Sequence, residues 1–225
     1  MKKITFLLLT FLILSCQDKS TEKAAEPVEF SEAEKIAEVY GINNWDKVEE
    51  ISFTFNVASG ENDPFRRHWK WNPNTNDVTM MTLTDTVSFN RASIDSTNIR
   101  ADQSFINDKY WLLTPFQLKW DEGVTMSETK NVVSPIDSMP MNKLTLVYDS
   151  EGGYTPGDAY DLYYDNNYKI KEWVFRKSND SSPSLISTWE NEETLNGITI
   201  VKDYNIPSTQ RKIYFTDVSI KMKDK

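Results

Sequence analysis

The chain has 225 residues, 34 of them Asp or Glu against 25 Lys or Arg, so its formal charge is −9. An acidic protein with no Lys/Arg-rich patch is repelled by phosphate backbones and anionic head groups, which argues against nucleic acid as a partner. One cysteine excludes an intrachain disulfide and one histidine excludes sites built from several imidazoles, so neither metal nor cofactor is expected.

Lys2 and Lys3 precede an apolar run from Phe6 to Leu14, and Ser15-Cys16 closes it. These are the parts of a secretory signal, and the run is too short to span a bilayer. Ile13-Leu14-Ser15-Cys16 resembles a bacterial lipobox, in which the peptide is cut before the cysteine and the thiol is acylated. Residues 1–15 are therefore read as a signal peptide and Cys16 as a lipidated anchor that holds the protein at the cell envelope, on the outer membrane. Removing Lys2 and Lys3 leaves 23 basic residues against 34 acids, a formal charge of −11. Residues 16–30 are polar, carry Pro27 and show no apolar face, which predicts a tether that cannot offset its conformational entropy.

A single β-rich domain is predicted over 31–225. Ser31 and Glu34 have capping-box spacing, and Ala33, Ile36, Ala37 and Tyr40 follow at helical intervals until Gly41. Period-two alternation then takes over. Ile51, Phe53, Phe55 and Val57 share one face, followed by Phe65, Trp69 and Trp71, and by Val78 and Met80 beyond the Asn72-Pro73-Asn74 turn. Phe105, Ile106, Lys109, Leu112 and Leu113 predict a helix over 102–113 that stops at Thr114-Pro115. Alternation returns at Leu144, Leu146 and Tyr148, at Tyr160, Leu162 and Tyr164, and at Trp173 and Phe175 after an Asp165-Asn166-Asn167 turn. Ile198, Ile200 and Tyr204, then Ile213 and Phe215, then Val218, Ile220 and Met222 complete the set. The pattern describes an antiparallel sheet with one apolar face, covered by two or three helices.

The stretch from Tyr40-Gly41 through Trp45 to Phe55, the segment FINDKYWLLTPFQLKWD from Phe105 to Asp121, residues Gly152 to Asp165 and the run Lys171 to Phe175 resemble a family of uncharacterised Bacteroidota lipoproteins. That family is similar to the outer-membrane lipoprotein carrier and receptor proteins, the LolA/LolB-like superfamily. The resemblance implies a mainly β fold, a curved open antiparallel sheet or half-barrel wrapped around a helical plug, with acyl chains held in its cavity. The carrier of that pathway is soluble, whereas a lipobox cysteine fixes this chain to a membrane.

Two functions follow. In the first, a cavity between sheet and helices binds an acyl chain or another apolar ligand, lipid or lipoprotein, with Phe53, Phe55, Trp69, Phe105, Leu112, Leu113 and Trp173 as candidate lining. In the second, the interior is filled and the outer surface binds a protein or glycan. No catalytic residue is expected. His68 shares a strand face with Arg66 and Lys70, which reads as solvent exposure rather than a catalytic base. Glu122, Asp158, Asp161, Asp165 and Glu172 lie near aromatics, as a glycosidase pair would, yet each suits a turn or a solvated face. The tryptophans at 45, 69, 71, 111, 120, 173 and 189 are read mostly as core rather than as a sugar platform.

Overall fold

The structure is a computed structural model, and it describes residues 31–61 and 63–224. Residues 1–30, on which the expectations about the signal, Cys16 and the tether fall, lie outside the described residues.

The capping box forms as its spacing requires: Glu34 N–H donates to Ser31 Oγ at 3.3 Å and Ser31 N–H donates to Glu34 Oε2 at 2.9 Å. It opens helix α1 (Glu32–Val39), whose buried face is Ala33, Ile36 and Ala37. Gly41 then takes φ +95° in close contact with Gly197, where a Cβ would lie 2.0 Å from a carbonyl oxygen. A short 3₁₀ turn leads into β1 (Val48–Ser59), β2 (Phe65–Asn72), β3 (Asp77–Met81) and β4 (Thr86–Asn90), which pair antiparallel in sequence.

After helix α2 (Ile99–Trp120), β5 (Val124–Val133), β6 (Pro140–Tyr148), β7 (Ala159–Tyr164), β8 (Ile170–Arg176) and β9 (Leu185–Thr188) form a second antiparallel sheet in chain order. The last strands, β10 (Glu190–Leu195), β11 (Ile198–Ile206) and β12 (Arg211–Met222), return to the first sheet, whose order is β10-β11-β12-β1-β2-β3-β4.

One run of chain links the sheets. Thr188 at the end of β9 pairs with Glu172 of β8, and two residues later Glu190 of β10 pairs with Asp203 of β11. Asn205 N–H donates across the junction to Thr188 Oγ1 at 3.0 Å, and buried Trp189 packs edge-on against Tyr204 at 4.8 Å. The first sheet has β10 and β4 at its edges and the second β5 and β9, so the sheets are open and do not close into a barrel. This mainly β, open antiparallel arrangement around helices is the architecture the sequence predicts.

Helix α2 is the plug. Phe105 meets Trp69 and Trp71 at 5.3 and 5.4 Å, and Trp111 packs against Trp173 at 4.3 Å. Asp108, fully buried, takes Nε and Nη2 of Arg67 at 2.7 and 2.6 Å and the Trp69 indole N–H at 2.8 Å. Burial pushes the Asp108 carboxyl up and Arg67 opposes it. The geometry pins the helix to β2, since an unpaired charge at that depth would cost several kcal/mol.

The helix corrects one expectation. It does not stop at Thr114-Pro115 but runs to Trp120, bending at Leu113, where φ is −121° and ψ 23°. Pro115 lacks the N–H that would bond the Trp111 carbonyl. Tyr204 Oη, 2.7 Å from that oxygen, supplies the missing donor from β11.

Candidate functional site

Two adjoining cavities open along the side of α2 that faces the second sheet. The first, about 680 Å³, is polar: Lys109 and Gln117 of α2 face Asp121, Tyr148 and the loop at 149–155. The second, about 430 Å³, is aromatic, with Trp111, Tyr160, Trp173, Phe175 and Leu185 in its walls. Ile106, Tyr110, Tyr154 and Thr155 line both, so the chambers meet around them. Each volume falls in the ~300–1,000 Å³ range of small-molecule sites.

The aromatic chamber follows from strand periodicity. Tyr160 of β7 is registered with Phe175 of β8, and Trp173 is one inward position further along. Their rings form a continuous wall, with Tyr160 5.2 Å from both Trp173 and Phe175 and Tyr110 5.0 Å from Tyr160. The Trp173 indole N–H is buried and has no acceptor among the described residues.

A chain of hydrogen bonds joins the chambers. With the Gln117 amide oriented to satisfy both neighbours, its oxygen accepts from Lys109 Nζ at 3.1 Å and its nitrogen donates to Asp121 Oδ1 at 2.7 Å. Tyr148 Oη donates to Asp121 Oδ2 in a short bond, which commits its single proton, so Tyr110 Oη, 3.1 Å away, donates to Tyr148. Burial dominates the titration of this chain. It pushes the Asp121 carboxyl up and the Tyr148 and Tyr110 phenols well up, and with help from Arg91 it brings the Lys109 amine down to about 8. Lys109 Nζ also lies 5.6 Å from the rings of both Trp71 and Trp120, and no described carboxylate forms an ion pair with it.

The loop between β6 and β7 forms the outer wall. Gly152 and Gly153 carry it through φ +84° and +64°, and Tyr154 then reaches back to α2, donating to Asp102 Oδ2 at 2.6 Å. Asp102 is itself held by Arg91 Nε at 2.9 Å.

Of the candidate lining residues, Trp173 alone lines either chamber. Phe53, Phe55, Trp69, Phe105, Leu112 and Leu113 are at most 3 % exposed and fill the core under the first sheet. There Phe53 and Phe55 pack edge-on against Phe215 and Trp69 against Phe105, leaving α2 in contact with the wall rather than a hollow. Sequence reasoning missed Lys109 as a lining residue, since it stood only as a helix position. It missed Tyr110, Asp121 and Tyr148 as well, whose association depends on the pairing of β5 with β6.

The remaining candidates are structural. His68 is half-buried on the outer face, its Nδ1 2.8 Å from Thr54 Oγ1. Asp165 is the expected turn residue, accepting from Asn167 and Lys169 N–H groups. Asp158, Asp161 and Glu172 are buried rather than solvated, which corrects the surface reading. Asp161 pairs with Arg176 at 3.0 Å, and Glu172 gathers Ser134 Oγ and the N–H groups of Ile136 and Asp137 at 2.7 to 2.9 Å. The tryptophans form no exposed row: five are buried, and Trp45 and Trp120 pack on each other at 4.7 Å. Among the described residues no helix is long and apolar enough to cross a membrane.

No family model matches the chain, and no curated protein matches it in sequence. Solved structures similar to it include the following two. One is a DUF1329 family protein from Desulfovibrio piger, with 8 % identity and a TM-score of 0.45, covering 87 % of this chain and 96 % of its own. The other is a LolA superfamily protein from Nitrosomonas europaea, with 12 % identity and a TM-score of 0.47, covering 86 % of this chain and 94 % of its own.

Proposed function

We propose that this chain is a non-enzymatic envelope lipoprotein, tethered to the outer membrane through Cys16, that holds an acyl chain or similar apolar group in the aromatic chamber beside α2. The observation that carries the reading is that chamber itself. Some 430 Å³ of space is walled mostly by large rings and by Ile106 and Leu185, with Gln103, Asn107 and Thr155 as its polar lining, at the point where helix and second sheet part. An apolar ligand entering it exchanges water for ring faces and edges, at roughly 25 cal/mol per Å² of apolar surface covered.

The filled interior under the first sheet favours a second reading, an envelope scaffold whose outer surface meets a protein or glycan. Displacement of an environment-sensitive apolar dye by fatty acid separates the two. The binding reading predicts saturable, competitive displacement, weakened at least tenfold in Ile106→Trp and in Thr155→Trp, which place a ring in the space both chambers share. Dye that never binds, or binds equally in both variants, supports the scaffold.

A further inference from the structure

The polar chamber carries both signs of charge, and they are segregated by depth. Lys109 is almost wholly buried in its inner wall. An ammonium has three N–H donors, of which the Gln117 oxygen takes one, and the two flanking rings accept no conventional hydrogen bond. Glu122, Asp149 and Glu151 are exposed and belong to the same chamber, so its outer rim is acidic. Arg91 does not offset the rim, because its charge is matched by Asp102.

A simple anion would reach Lys109 only past three carboxylates, and a simple cation would find no acidic partner beside the buried amine other than Asp121, already held by Gln117 and Tyr148. A group with an anionic part leading and a cationic part trailing meets complementary charge at both depths. The aromatic chamber adjoins through Tyr110 and Ile106, so one molecule with a polar group and an apolar chain fits both.

We propose that the polar chamber receives a zwitterionic head group, its anionic moiety on Lys109 and its cationic moiety at the rim formed by Glu122, Asp149 and Glu151. The attached chain lies in the aromatic chamber, so this inference rests on the apolar-ligand reading above. It makes the ligand class a zwitterionic amphiphile, of which an ethanolamine phosphate ester is the simplest.

The test uses three probes of one chain length: lysophosphatidylethanolamine, anionic lysophosphatidylglycerol and an uncharged monoacylglycerol. Each is titrated into the full chain carrying Cys16→Ser, below its micelle-forming concentration. The zwitterion is expected to bind at least tenfold tighter than the other two. Lys109→Met should remove most of that advantage over the uncharged probe. Should Lys109→Met fold poorly, the exposed rim variant Glu122→Gln/Asp149→Asn/Glu151→Gln gives an independent readout, bringing the zwitterion and the anion to similar affinity. Equal binding of all three probes by the Cys16→Ser chain overturns the zwitterion proposal and leaves the apolar reading standing. Binding of none overturns the apolar reading itself.

Discussion

The Tyr204 hydroxyl lies 2.7 Å from the Trp111 carbonyl, the acceptor that Pro115 cannot serve. Pro115 stands at position i+4 from Trp111, so the proline removes the helical donor for that oxygen, and a strand side chain replaces it. The hydroxyl also lies 3.0 Å from the Val201 carbonyl, and its single proton serves the nearer oxygen. Tyr204→Phe should therefore destabilise the fold by ~1–3 kcal/mol, the cost of a buried unsatisfied carbonyl. In a Pro115→Ala background the new N–H takes over and the loss shrinks. A double-mutant cycle by chemical denaturation reads this, and additivity within ~0.5 kcal/mol would show that the two residues do not share the carbonyl.

Trp111 itself joins helix to both sheets, packing on Trp173 at 4.3 Å and on Tyr204 at 5.2 Å. Trp111→Ala is expected to cost ~3–5 kcal/mol. A measured loss under about 1 kcal/mol would place the ring outside the packed core.

Much of this architecture is legible in the residues, and the exceptions have physical causes. The inward phase of β12 runs Ile213 and Phe215, then switches to Val218, Ile220 and Met222. The switch is visible as a change from odd to even positions. It falls at Asp217, which has φ +51° and lies in a register shift opposite Ser52/Thr54, so one inserted residue keeps both halves facing inward. By contrast, β10 has Glu190, Glu192 and Glu193 in six residues and gives no alternating signal. It is held by its ladder to the apolar strand β11. Strand β5 is an exposed free edge and is equally silent. The candidate site was the least legible part, because inward-facing aromatics look alike in sequence whether they fill a core, as Phe53 and Trp69 do, or border a chamber, as Tyr160 and Trp173 do.

Lys109 gives a pH signature. Burial lowers its amine from the ordinary 10.5 to about 8, so between those values the unfolded chain binds more protons than the folded one, and folding stability contributed by this group rises with pH. Below pH 8 both states are charged and the full cost of burying the ammonium applies. Arg91, Asp102 and Asp121 act on the amine in both limbs, and the tyrosines that titrate at high pH are common to wild type and variant. The stability of wild type minus that of Lys109→Met should climb by on the order of 2 kcal/mol from pH 8 to pH 10. A flat difference would mean that the amine is solvated.

Anchoring is tested separately from folding. Cys16→Ser is expected to move the protein from the membrane to the soluble fraction while leaving its thermal unfolding unchanged, because the thiol lies outside residues 31–225. Variant protein that still sediments with membranes would show that another feature holds it there.

The central claim is that the chamber walled by Tyr160, Trp173 and Phe175 holds an apolar chain. Native mass spectrometry of the full chain carrying Cys16→Ser, purified without detergent from two unrelated bacterial hosts, addresses it most directly, since that variant has no thiol to acylate at position 16. The account predicts a population carrying one amphiphile per protein, lost on Ile106→Trp. Protein that emerges free of lipid from both hosts, and takes up none on incubation, would contradict it.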